Sequence, residues 1–164
     1  MKEPAPDEDH RLFDVTPYLR LVIDKDGRWF QNGVEIVHPE IYRYFCQSLE
    51  KTSDGMYRIR CDREICRVEV EDAPFVVVRV RQDDSHVLWV ELNDGTSEPF
   101  QPERFWIGVE NVPYVEIKDG AFHARFSRSA YYQLAEHIEA DDEEEETFSF
   151  RLDGKRTPVK VARS

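Results

Sequence analysis

The chain has no run near the roughly 20 consecutive apolar residues that a membrane-spanning helix needs, so no transmembrane segment is expected. Its first ten residues are acidic and carry two prolines, unlike a basic-apolar secretion signal, and the cytoplasm is the expected compartment. Cysteine is scarce: Cys46, Cys61 and Cys66 are odd in number and form no C-x-x-C pair, which suits reduced thiols and fits no common zinc frame. There is no G-x-G-x-x-G and no Walker loop, which excludes the conventional dinucleotide and NTP-hydrolysing folds. His38, His86 and His123 are scattered, with no Ser or Cys in a nucleophile context. No catalytic residue, metal site or cofactor is therefore assigned. An excess of basic charge is also missing, and with it the footprint of a nucleic-acid binder. The net charge is -12, of which residues 1–10 contribute -3 and residues 139–146 contribute -7, leaving about -2 for the rest.

What is present is strand patterning. The stretch Arg67–Arg81 reads R-V-E-V-E-D-A-P-F-V-V-V-R-V-R, two period-two runs broken at Asp72-Ala73-Pro74. Pro74 has no N–H for a ladder and belongs at a strand start, an edge or a bulge. Upstream, Tyr18–Ile23 and Arg28–Phe30 flank Asp24-Lys-Asp-Gly27 as a hairpin. Pro39 suits the first turn of a helix whose expected buried face is Ile41, Tyr44, Phe45, Ser48 and Leu49. Tyr57–Cys61 reads as the next strand. Further strands are expected at Val87–Leu92, Phe105–Val109 and Tyr114–Ile117, a second helix opens at Ser127, and Phe148–Asp153 and Val159–Val161 close the chain.

The second part repeats the order of the first at separations of 93, 89 and 91 residues (Gly27 to Gly120, Phe45 to Leu134, Asp62 to Asp153). This spacing predicts an internal duplication of a β-β-α-β-β unit. The expected fold is α+β: two tandem related halves, each a small antiparallel sheet with one packed helix. The expected boundaries are 1–14 as a disordered acidic start, 15–81 as the first half, 82–110 as connecting strands and 111–164 as the second half with an acidic loop at 139–146. The core is expected to hold Leu21, Ile23, Ile41, Phe45, Leu49, Val68, Val70, Val76, Val78, Leu134 and Ile138.

Asp26-Gly-Arg-Trp29, then Val70-Glu-Asp-Ala-Pro-Phe-Val-Val77, then Pro113-Tyr-Val115 and Ser127-Arg128 together resemble the bacterial family known as domain of unknown function 1285, over about residues 18–138. The resemblance implies a duplicated α+β fold whose second half is similar to pleckstrin-homology-like barrels. It also implies a binding site at the interface of the halves and a signalling role with a nucleotide-like ligand. Two stretches depart from the family pattern: Arg60-Cys-Asp-Arg-Glu64 occupies the place where family members commonly carry T-P-x-E, and the portion after Glu139 is unlike theirs.

Arginines interleaved with aromatics are the remaining site candidates: Arg58, Arg60, Arg79, Arg81, Arg104, Arg125 and Arg128, with Trp29, Trp89 and Tyr131. A guanidinium fork suits phosphate or carboxylate, and an aromatic face suits a base. Arg128 is favoured because it opens a helix at Ser127, where free N–H groups attract anions. Arg60, Trp29 and Tyr131 are expected beside it, with Asp72 setting the turn before Ala73-Pro74 or pairing with Arg128. The expectation is a non-catalytic module for an anionic or nucleotide-like small molecule, with no nucleic acid and no membrane as partner. The alternatives are a small enzyme using an acid and arginine cluster, or a protein-interaction domain.

Overall fold

The computed structural model describes residues 12–142 and 147–162; the expected disordered start up to residue 11 and the core of the acidic run, 143–146, lie outside the described residues. The fold is α+β, mostly sheet with two helices, and the chain divides into two units, Met1–Glu71 and Asp72–Ser164. Among the described residues, no helix is long and apolar enough to cross a membrane.

Unit 1 runs β1 (Phe13–Asp14), β2 (Leu21–Ile23), β3 (Trp29–Gln31), β4 (Val34–Glu35), α1 (Pro39–Ser48), β5 (Leu49–Lys51), β6 (Tyr57–Cys61) and β7 (Glu64–Val70). Its sheet has the order β4-β3-β2-β7-β6-β5, with β1 also on β7. The first hairpin forms because Asp24 Oδ1 accepts from the N–H of both Asp26 and Arg28, and Gly27 takes the left-handed φ of 78° that closes the turn. Phe13 and Asp14, expected in the disordered start, instead pair in parallel with Glu64 and Ile65.

The buried stripe of α1 differs from the expected one. Ile41 and Tyr44 are 49% and 53% exposed, whereas Cys46 and Leu49 are buried and Tyr42 and Phe45 are half-buried. Both stripes have helical spacing and share Phe45 and Leu49, so periodicity alone cannot separate them. The choice is made by tertiary contacts: the Tyr42 hydroxyl donates to Gly27 O at 2.7 Å, and Phe45 stacks on buried Trp29 at 5.7 Å.

Unit 2 runs β8 (Phe75–Gln82), β9 (Leu88–Leu92), β10 (Ser97–Pro99), β11 (Phe105–Ile107), β12 (Pro113–Ile117), β13 (Phe122–Phe126), α2 (Arg128–Ala135), β14 (Ile138–Ala140), β15 (Phe148–Leu152), β16 (Lys155–Pro158) and β17 (Lys160–Val161). A seven-stranded sheet has the order β10-β9-β8-β13-β12-β11-β17, and β14-β15-β16 form a separate antiparallel sheet. Glu139 and Ala140, expected as loop, close β14, and Glu139 and Asp141 pair with Arg151 and Arg156. The large sheets are mixed rather than purely antiparallel. β2 lies parallel to β7 and β13 parallel to β8, because each pair is joined by a long connection and not by a tight turn.

In β8 the expected alternation of Val76, Val78 and Val80 is broken. A bulge between Val77 and Arg79 leaves Val78 44% exposed and returns Val80 to the interior, so Phe75, Val77 and Val80 face the core. Ile138 and Val70 are half-buried, and the rest of the expected core, Leu21, Ile23, Leu49, Val68, Val76 and Leu134, is buried. A second aromatic core went unforeseen: the Phe105 ring meets Phe100, Phe126 and Phe150 edge-on at 5.1–6.1 Å.

The Asn93-Asp94-Gly95 turn is tied to this frame at two points. Asn93 Oδ1 accepts from Val76 N at 2.9 Å, locking the strand that follows Pro74. Asp94 is 1% exposed and accepts from Lys118 Nζ at 2.8 Å and from the N–H and hydroxyl of Thr96. Burial pushes the Asp94 carboxyl up, but the bonds from Lys118 and Thr96 outweigh it and hold the group below its ordinary 3.8. A lowered carboxylate contributes stability that is fully present above its unfolded value and is lost as pH falls through the folded one. Asp94→Ala should therefore cost about 2 kcal/mol in urea unfolding at pH 7, since it removes charge-assisted bonds to a buried carboxylate whose lysine partner can still reach solvent. The gap to wild type should narrow as the pH drops below the ordinary carboxylate range; a gap that stays constant down to acid unfolding would contradict the assignment.

Candidate functional site

Side chains alternate along a strand, so successive register rows of the unit 2 sheet face opposite sides, one buried and the next outward. Phe105, Val115, Ala124 and Phe75 face one another across β11, β12, β13 and β8, and all four are buried. The next row is Trp106, Tyr114, Arg125 and Val76, in which Trp106, Tyr114 and Arg125 are half-buried on the other face. His123 joins them from β13. Trp106 stacks on Tyr114 with centroids 5.4 Å apart, and His123 lies 6.1 Å from each ring.

Asp72 closes the cluster. The Tyr114 hydroxyl lies 2.8 and 2.9 Å from its two carboxylate oxygens, and Arg125 Nη1 donates to Oδ2 at 3.0 Å. Asp72 does not bond the turn backbone or Arg128; it ties the E-D-A-P-F string to the P-Y-V strand, two pieces of the same sequence resemblance. Burial, and then the bond to Asp72, push the Tyr114 phenol up to about 12. The phenol keeps its proton throughout the neutral range and acts as a donor to the carboxylate.

Gly108 makes room for this ring. Its φ of -85° suits any residue, but a Cβ there would lie 2.7 Å from Tyr114 Cε2, so the glycine is required by close approach and not by backbone conformation.

The expected site residues are dispersed. Trp29 is fully buried in unit 1 against Phe45, with its indole N–H lacking a hydrogen-bond partner among the described residues, and so offers no face to a ligand. Arg60 is exposed on β6 of unit 1. In unit 2, Arg128 is exposed at the first turn of α2, where Ser127 caps the helix by accepting from Ala130 N at 3.2 Å, and Tyr131 is half-buried one turn on. Among the other arginines, Arg81 and Arg79 pair with Glu91, Arg81 also lies over Trp89, and Arg58 pairs with Glu50, as cross-strand surface partners. Trp106, Tyr114 and His123 went unselected. The signal was the F-W-I and P-Y-V-E-I alternation, which marks them as outward residues once the strands are in register. Among the described residues no cluster of His, Cys, Asp and Glu could hold a metal ion.

Gly108→Ala should cost about 1–3 kcal/mol by overpacking against Tyr114. The cost should shrink by at least half in a Tyr114→Ala background, read as coupling in a denaturation cycle. Equal costs in the two backgrounds would show that the glycine serves something other than the ring.

No family model matches the sequence, and no curated protein matches it. Solved structures do. A DUF1285 family protein from Silicibacter pomeroyi DSS-3 is 24% identical, with a TM-score of 0.69 over 97% of this chain and 90% of that one. A DUF1285 family protein from Shewanella baltica OS155 is 21% identical, with a TM-score of 0.61 over 73% of this chain and 92% of that one. This chain has the fold of DUF1285 family proteins.

Proposed function

We propose that this chain is a divergent DUF1285-type, non-catalytic ligand-binding module that takes a nucleotide-like or phosphorylated small molecule on the Trp106–Tyr114–Arg125 face of unit 2. The observation that carries the reading is a guanidinium set beside an aromatic stack. Arg125 gives Nη1 to Asp72 at 3.0 Å and keeps the rest of its fork for a phosphate or carboxylate, while Trp106 and His123 offer π surface for a planar ring. Binding is favoured over catalysis because both Asp72 oxygens are already engaged as hydrogen-bond acceptors and the Tyr114 phenol, pushed up to about 12, is not poised for proton transfer near pH 7.

Descent from a duplicated unit belongs to the same proposal. In each unit a hairpin precedes one helix, and an antiparallel three-strand meander follows it: β2-β3, α1, β5-β6-β7, and β12-β13, α2, β14-β15-β16. The two differ in that β7 joins β2 in one sheet, whereas β14-β15-β16 stand apart. A pleckstrin-homology-like second half, a cytoplasmic setting and a signalling role complete the reading.

A thermal-shift screen of nucleotides and phosphorylated metabolites tests it. A binder at about 100-fold excess over Kd should stabilise the chain by about 2.7 kcal/mol without product accumulating, and Trp106→Ala should remove the shift. Turnover of the bound compound would instead support the enzyme alternative. If Arg128→Ala abolishes the shift and Trp106→Ala leaves it intact, the site lies at the first turn of α2.

A further inference from the structure

The register row that carries the aromatic stack continues past Trp106. On the far side of β11, β17 runs parallel to it and sets Lys160 against Trp106, so four adjacent strands present Lys160, Trp106, Tyr114 and Arg125 in one row. The neighbouring pair, Ile107 and Val161, lines an apolar cleft on the other side of the sheet, as strand alternation requires, which leaves Lys160 on the aromatic side. The row reads cation, ring, ring, cation.

The two cations are set apart and anchored apart. Three strand spacings of about 4.8 Å put the outer Cα positions roughly 14 Å from each other. Arg125 donates Nη1 to Asp72 at 3.0 Å, whereas Lys160 donates Nζ to the carbonyl of Glu103 at 2.8 Å, in the helical turn Pro102–Arg104 that leads into β11. One phosphate cannot meet both without breaking an anchor. The Lys160 end has room for a group of its own: a pocket of about 300 Å³ is lined by Trp106, Lys160, Arg104, Glu103 and Glu116. Arg104 is half-buried there and reaches only the fully exposed Asp119 at 3.5 Å, a contact worth little in water and open to competition from a ligand anion. The Glu103 carboxylate is engaged by Lys155 Nζ at 3.2 Å. Glu116, opposite His123 in register, disfavours an anion beside it and can accept from a hydroxyl or an amine.

We infer that this face takes a nucleoside phosphorylated at two separate positions, with one phosphate on Arg125, the other on Lys160 and Arg104, the ring against the aromatic stack and a sugar hydroxyl toward Glu116. A nucleotide whose charge all lies at one end reaches only one of the two cationic flanks. The inference rests on the ligand-binding role proposed for this face and adds the charge pattern of the ligand.

Isothermal titration of the full chain with the 5′-monophosphates, 5′-diphosphates and 3′,5′-bisphosphates of adenosine and guanosine tests it. Diphosphate and bisphosphate carry similar charge, at one end in the first and at two in the second. At least one bisphosphate should bind about tenfold or more tightly than the matching diphosphate. Lys160→Gln should remove that preference, and Lys160→Arg should keep it. Arg104→Gln should act in the same direction as Lys160→Gln, and it takes its place if circular dichroism shows that Lys160→Gln loosens β17. Equal binding of diphosphate and bisphosphate, or a preference that survives both Lys160→Gln and Arg104→Gln, overturns the inference and leaves the ligand-binding role of the face intact. Binding of none of these compounds also overturns it, and a hit elsewhere in the metabolite screen separates that failure from failure of the role itself.

Discussion

The register that sets Phe105 against Val115 and Val115 against Ala124 also sets Trp106 against Tyr114 and Tyr114 against Arg125, because successive side chains leave a strand on opposite faces. Core and candidate site in unit 2 are therefore two sides of one constraint. A slip of one residue would bury the arginine and expose the phenylalanines. The bulge in β8 belongs to the same arrangement, since it lets Phe75 and Val77 and then Val80 face inward on a strand that must also pair with β9 and β13.

On that frame, three polar devices fix the turns. Asp94 with Lys118 ties the N-D-G turn to the K-D-G turn through an ion pair whose carboxylate is buried, and Lys118 also lies over the Phe75 ring at 5.1 Å. Asn93 holds the strand after Pro74 by its backbone. Asp72 holds the residues before Pro74 by side chains, through Tyr114 and Arg125. The E-D-A-P-F string thus has a physical account: an acid to pair, a small buried Ala73, a proline that starts the strand, and a phenylalanine for the core.

Much of this was legible in the residues. The hairpin at Asp24–Gly27, the helix opened by Pro39, the Ser127 cap and the D-G and N-G turns all follow from local chemistry, and the structure has each of them. Features set by distant contacts were not legible. The face of α1 is chosen by Gly27 O and Trp29, the parallel pairs join strands far apart in sequence, and the β8 bulge is a property of two partners at once. Trp29 was read as a ligand face for the same reason. A Trp after a D-G turn is equally consistent with an outward and an inward ring, and only the packing of Phe45 decides. Arg125 was singled out as one arginine among several, but its partners come from three other strand and turn segments, and spacing along one chain does not bring them together.

The central claim is that Asp72 and Tyr114 act as one unit that holds the motif to the sheet. A double-mutant cycle of Asp72→Asn and Tyr114→Phe, read by urea denaturation at pH 7, measures it directly. The account predicts a coupling of about 1–2 kcal/mol, in the range of a hydrogen bond to a charged group. Additive costs, with a coupling below about 0.3 kcal/mol, would show that the two side chains are neighbours without being partners, and would contradict it.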